Sequence, residues 1–438
     1  YVATSNYPGP QPALSAFAGV GALGGGNVTV TAGHDIGDAG QGIIVAIGGS
    51  GRVLGDGSLA QTGGGSLKVA AGSNVGTGGN QFVNLRGDTS VDAGAFGTLT
   101  GTNFGVSLAD PRPANPLIPY GMVAVAGGSF APGDGTIAVR ARGDLAMGTI
   151  DDLGRGLLSQ NASAGGNGLQ TASWFTLWTG TTAVNLFAAG GNLAPLSSDQ
   201  GVSRIGLSTT SVLPPILRAV AGNGSIYLTP VDAASSTQMP SPQGELDLLA
   251  AGKIIASSNG LLGPSATSLS SLATPFNPGW LSSQADSSGG TQITASNFWG
   301  KFSQPLDGMS GAGLPLYTFG PNTVTDATAF GGADIVSHVY AVGGDVLNLR
   351  YGATYIGLAF IGNQNVSTTF YRAMKPVQIL AGGDIVNLNG MILHDSPSDM
   401  SLIAASGNII YAGINDFLDD STGRRSVPGL RVSGPGSL

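Results

Sequence analysis

The sequence predicts an all-β protein built as a long β-solenoid, and three observations carry that expectation. A five-residue signature (apolar, any, apolar, any, Ala) runs seven times into a small-residue turn and a further apolar residue. Equivalent residues recur at related intervals: Val30 to Val69 is 39, Val339 to Ile379 is 40, Leu186 to Leu228 is 42, Leu228 to Leu248 is 20 and Ile379 to Leu402 is 23. Glycine is abundant, at 74 of 438 residues, while charged residues make up 10% against about 25% in an average globular domain.

The seven copies define the elements in order. They are Val28, Val30, Ala32 leading to Ile36; Leu67, Val69, Ala71 to Val75; Ile137, Val139, Ala141 to Leu145; and Val184, Leu186, Ala188 to Leu193. Leu246, Leu248, Ala250 to Ile254, then Val377, Ile379, Ala381 to Ile385, then Met400, Leu402, Ala404 to Ile409 complete the set. Alternate side chains of a strand share a face, so each copy has one apolar face and one mostly polar or small face, such as Asn27, Thr29 and Thr31. A lone strand cannot bury that apolar face, whereas a neighbour stacked on either side buries it continuously. The turns carry Gly33 and Asp35, Gly72 and Asn74, and Gly382 and Asp384. These residue types tolerate left-handed backbone angles and offer a side chain that bonds the local backbone. Coils of about 20 residues, taken singly or in pairs, would give about 15 to 20 coils and a rod of roughly 70 to 95 Å. The longer Val69 to Val139 interval is attributed to inserted loops.

Composition bounds the class. A mean hydropathy of +0.21 with recurrent Val, Ile and Leu alternation argues against a flexible linker. Helix-forming runs are scarce, and Glu245 is the sole glutamate. A net charge of −8 and a pI near 4.7, with no basic run longer than Arg424-Arg425, argue against nucleic acid as a partner. Zero cysteines exclude a disulfide framework. No stretch of about 18 apolar residues occurs, so no membrane-spanning helix is expected. The start at Tyr1 and the end at Leu438 suggest a segment of a longer protein.

Three stretches organise the chain. Residues 1–254 carry five signatures, interrupted by Pro-containing loops such as Asp110 to Tyr120 and Leu213 to Leu217. Residues 255–330 lack the signature and concentrate Ser, Pro and aromatics, including Phe276, Trp280, Phe298, Trp299, Phe302 and Phe319. They read as an insertion whose aromatics form either a satellite core or an exposed binding patch. Residues 331–438 resume the repeat.

Two longer stretches carry a family resemblance. Ser241-Pro242-Gln243-Gly244-Glu245-Leu246-Asp247-Leu248-Leu249-Ala250-Ala251-Gly252 is similar to segments of filamentous haemagglutinin-type exoproteins, the secreted partners of two-partner secretion systems. Val339 to Arg350, Ile379 to Asn387 and Val432 to Gly436 follow an order that resembles the C-terminal region of that family. Coverage runs from about residue 180 to 438. The resemblance implies a right-handed parallel β-helix exported through an outer-membrane pore partner to the surface or surroundings of a Gram-negative cell. It also implies adhesion to host cells or surfaces, or biofilm cohesion, with the receptor or glycan unspecified.

Candidate sites are few. Arg86-Gly87-Asp88 and Arg142-Gly143-Asp144 match a triplet that mimics integrin ligands, although a repeat turn already demands Gly143 and Asp144. Arg142, Gly143, Asp144, Trp280 and Trp299 are the adhesive candidates. For catalysis the close carboxylates are Asp151-Asp152, Asp416 and Asp419-Asp420, and no Asp, Arg or His constellation is legible at coil spacing. His34, His338 and His394 lack metal-type spacing, and His34 reads as a solvated turn residue. The Asn-Gly pairs at Asn223, Asn259 and Asn389 read as turns. No cofactor, metal or catalytic residue is expected. A surface adhesin leads, with a self-associating structural fibre and a β-helical polysaccharide lyase or hydrolase as alternatives.

Overall fold

The computed structural model describes residues 19–22, 24–38, 40–53, 59–101, 122–150, 171–174, 177–195, 212–228, 236–238, 243–256, 261–262, 279–285, 291–296, 335–351, 356–361, 364–369, 375–394, 396–411, 418–419, 424–425, 429–433 and 435–438. Among these residues every element is a strand, as the sequence predicts. Two long parallel sheets dominate. The first has ten strands, which neighbour one another in chain order: Val28–Ala32, Leu67–Ala71, Thr89–Ala93, Thr136–Ala141, Ala183–Ala188, Ile216–Ala221, Glu245–Ala250, Ser337–Ala341, Val377–Ala381 and Leu402–Ala405. The second has nine short strands, from Asn74–Val75 to Ile409–Ile410, again in chain order. The chain therefore leaves a strand of the first sheet, turns, adds a strand to the second, and returns one position further along. We call each such circuit a pass. Shorter parallel sheets close parts of the remaining side, among them one four-stranded sheet of Val20–Ala22, Ile44–Ile47, Asn80–Asn84 and Gly128–Pro132.

The inward faces meet in one hydrophobic core. Leu67, Val139, Val184, Leu246, Val377 and Ile385 are buried within a single cluster, with Val28 at its first-pass end. Phe82, Phe96 and Phe130 fill the core beneath the four-stranded sheet, with ring centroids 5.1 to 6.5 Å apart. Trp178 is buried and donates Nε1–H to the Pro132 carbonyl at 3.2 Å. Parallel sheets covered in this way place every inward aliphatic side chain against equivalents on neighbouring strands.

Several expectations change. Intervals of 39 and 40 are single passes, since Val28 pairs directly with Leu67 and Val339 with Ile379. Pass length runs from 22 residues (Leu67 to Thr89) to 91 (Asp247 to His338). Ten strands make nine steps, so the first sheet extends roughly 43 Å at about 4.8 Å per step, shorter than the expected rod. The Val69 to Val139 interval contains a further pass, whose strand Thr89–Ala93 the signature missed because Thr89 occupies the first apolar slot. Leu228 belongs to the second sheet, so the intervals measured to it mix two faces.

The last copy is displaced by one residue. Gln378 pairs with Leu402 and Ile379 with Ile403, which turns Ser401, Ile403 and Ala405 inward and leaves Met400 and Leu402 at 55% and 42% exposure. Leu402-Ile403-Ala404-Ala405 is apolar on both faces, so alternation alone does not set its register. The Pro-containing segment Leu213 to Leu217 is a buried corner between strands Val212–Leu213 and Ile216–Ala221, not an interrupting loop. Asn389 opens the strand Asn389–Leu393 rather than a turn. The 110–120 loop, Asn259, and all of the middle aromatics except Trp280 lie outside the described residues.

Candidate functional site

The turns between the first and second sheets explain the second adhesive triplet, Arg142-Gly143-Asp144. Oδ1 of Asp35 accepts the backbone N–H of Asn74 at 2.7 Å, and Asn74 Oδ1 accepts that of Ala95 at 3.0 Å. Asp144 serves Asn192 at 2.7 Å, Asn192 serves Ser225 at 2.9 Å, and Ser225 Oγ serves Lys253 at 3.0 Å. Asp345 and Asp384 continue the column, which is interrupted at Ala95 and at Lys253. At the second interruption Lys253 Nζ forms an ion pair with Asp345 at 3.0 Å. These side chains bond the next pass, not the local backbone that the sequence suggested.

The turn glycines also have a different basis. Gly33, Gly72 and Gly382 are absent from the positive-φ residues, so left-handed angles are not the reason for them. A Cβ on Gly72 would sit 2.1 Å from the Gly33 carbonyl oxygen, and one on Gly382 would sit 2.0 Å from that of Val342. Stacked turns approach too closely for a side chain. Gly33, in the first of these turns, has nothing within 4 Å of a built Cβ.

Within the second triplet, Asp144 is a rung of this column, and Arg142 Nη2 donates to the Gly72 carbonyl at 2.6 Å. In the first triplet, Asp88 Oδ1 accepts the Thr136 N–H at 2.8 Å. Trp280 lies in strand Gly279–Ala285, which pairs antiparallel with Thr171–Trp174 and Thr291–Ser296, while Trp299 lies outside the described residues.

The outward face of the first sheet carries side chains that the core and turns do not use. Two rows run across the strands in register. The polar row is Asn185, Arg218, Asp247, His338 and Gln378. The apolar row is Phe187, Val220, Leu249, Tyr340 and Leu380, with Phe187 42% and Leu249 38% exposed. The polar row contains an Arg, Asp and His arrangement that the sequence reading found no sign of, because 29 and 91 residues separate Arg218, Asp247 and His338.

Arg218 grips Glu245 through both Nε, at 2.9 Å, and Nη2. That fork holds the Glu245 carboxyl below its ordinary range. Asp247 lies beside Glu245 and meets His338 Nδ1 at 2.8 Å. Burial pushes the Asp247 carboxyl up to about 6, helped by the adjacent Glu245 and opposed by His338. Tyr340 donates its hydroxyl to Gln378 at 2.5 Å. No group of three or more His, Cys, Asp or Glu side chains that could hold a metal ion occurs among the described residues.

Towards the first passes the same face opens into a cleft of about 430 Å³. Its floor is small, including Thr31, Ala70 and Gly72, and Asp92, Arg140, Arg142 and Phe187 stand around it. Arg140 meets Asp92 at 3.9 Å, beyond hydrogen-bond range, and its side chain is 65% exposed.

No family model matches the chain, and comparison with curated proteins and with solved structures gives no match. Among the described residues no helix is long and apolar enough to cross a membrane.

Proposed function

We propose that the chain is a right-handed parallel β-helix acting as an adhesive rod, secreted to or displayed on the outer surface of a Gram-negative bacterium. It attaches there to host cells or surfaces, or holds a biofilm together. The parallel sheets in chain order support the architecture, and the likeness of residues 180–438 to filamentous haemagglutinin-type exoproteins supports the export route through an outer-membrane pore partner.

One observation carries the functional reading: the unbroken apolar row from Phe187 to Leu380 on the outward face. The core is complete without it, so folding gains little from keeping Phe187 and Leu249 in water, whereas an attachment surface gains apolar contact area. The test is attachment of beads coated with the purified chain to cultured cells and to polystyrene. The double variant Phe187→Ser with Leu249→Ser should attach several-fold less at an unchanged melting temperature. Undiminished attachment of the folded variant contradicts the reading.

A second reading, a polysaccharide hydrolase, draws on Glu245, Asp247 and His338 sharing one face. The partners these carboxyls already hold work against it, since Arg218 grips both Glu245 oxygens and His338 meets Asp247 at 2.8 Å. Glycoside hydrolysis needs one carboxyl to protonate the leaving group and the other to attack the sugar or activate a water.

A further inference from the structure

Four groups around the 430 Å³ cleft differ from the rest of the outward face. Arg140 and Arg142 are two positions apart on one pass, at the end of strand Thr136–Ala141 and just beyond it. The outward register runs Thr31, Ala70, Asp92, Arg140, Phe187, so a floor without bulk is followed by an acid, a guanidinium and an aromatic ring. Arg142 reaches back over two passes to the Gly72 carbonyl, which fixes its guanidinium along the floor while using one of its five N–H donors. Arg140 forms only a long, exposed ion pair with Asp92 at 3.9 Å, which leaves its N–H donors outside hydrogen-bond range of that carboxylate.

From this geometry we infer that the cleft binds one carboxylated sugar unit of an acidic polysaccharide, an inference that rests on the attachment reading above. A planar carboxylate matches the guanidinium fork of Arg140, with Arg142 as second donor. Phe187 offers a ring against which the C–H face of a sugar packs. Asp92 accepts a hydroxyl hydrogen, which a neutral donor group supplies and a second anion would not. The cleft volume falls in the range of small-molecule sites, large enough for one or two sugar rings. The chain's net charge of −8 opposes general polyanion binding, so recognition is local.

The experiment is isothermal titration of the 438-residue chain with a uronic-acid oligosaccharide, its carboxyl-reduced neutral counterpart, and a sulfated oligosaccharide of equal length. Arg140→Gln and Phe187→Ala serve as variants, and circular dichroism verifies their folding. The uronate should bind, the reduced sugar should bind about tenfold or more weakly, and each variant should lose about tenfold. Equal binding of the reduced sugar, uronate affinity unchanged in Arg140→Gln, or no uronate binding overturns the inference. So does tighter binding of the sulfated sugar with the same Arg140 dependence, which would reassign the anion. Should uronate fail to bind while bead attachment still depends on Leu249, the inference falls and the attachment reading stands. Loss of both would remove the reading as well.

Discussion

Asp345 and Asp384 occupy equivalent places in successive passes, and Oδ1 of the first accepts the backbone N–H of the second at 2.9 Å across 39 residues of chain. Asp384 then accepts from Asn408 at 2.7 Å. Each carboxylate thus ties the turn it belongs to onto the next turn along the stack.

Removing such a rung should cost stability without changing the fold. Asp384→Ala is expected to lose about 1–3 kcal/mol, the range for a hydrogen bond to a charged group together with an orphaned N–H. Asp384→Asn, which keeps an oxygen in place, should lose less. Urea unfolding of the three proteins measures this, and equal midpoints for Asp384→Ala and the parent would show that the column contributes nothing.

Glycine tolerance should split by position along the stack. Gly382→Ala drives a Cβ to 2.0 Å from the Val342 carbonyl oxygen and forces the backbone to move, so a loss above about 1 kcal/mol is expected. Gly33→Ala meets nothing within 4 Å and should fall within about 0.5 kcal/mol of the parent. Equal thermal shifts for both substitutions would mean that the turns are not stacked as described.

Two titrating groups should bend the pH–stability profile in opposite directions. Asp247, raised to about 6, holds its proton longer in the folded chain, so its contribution is full at acid pH and is lost as pH rises through about 6. His394 is buried, which lowers its affinity for a proton, although the nearby Asp399 and a backbone contact at Gly436 oppose that effect. Its contribution is present above its ordinary value of 6.5 and is lost as pH falls below it. Melting temperatures between pH 4.5 and 7.5 should therefore rise more steeply with pH in Asp247→Asn than in the parent, and less steeply in His394→Asn. Parallel curves for all three proteins would remove the assignment.

What the sequence made legible was the inward alternation, because Val, Leu and Ile recur two residues apart and end on Ala. Strands whose first inward position is Thr89 or Ser337 break that pattern, since both polar groups are buried at the strand edge. The register of the final copy was ambiguous because either parity of Leu402 to Ala405 is apolar. The Asp and Asn turn residues were recognisable as a type, but their bonds run between passes, and pass lengths from 22 to 91 residues hide which residue faces which. For the same reason the outward rows were invisible: a row made of single residues from five strands has no local signature.

In-register parallel stacking is the claim on which the rest depends, and the absence of native cysteine makes it directly measurable. Thr29 and Lys68 are outward-facing, exposed register partners. Neighbouring Cα atoms of adjacent strands lie about 5 Å apart, within disulfide reach, whereas partners displaced by two residues lie beyond it. Under mild oxidation, followed by mass spectrometry, Thr29→Cys with Lys68→Cys should cross-link within the monomer and Thr29→Cys with Ala70→Cys should not. Cross-linking of the second pair in preference to the first would contradict the account.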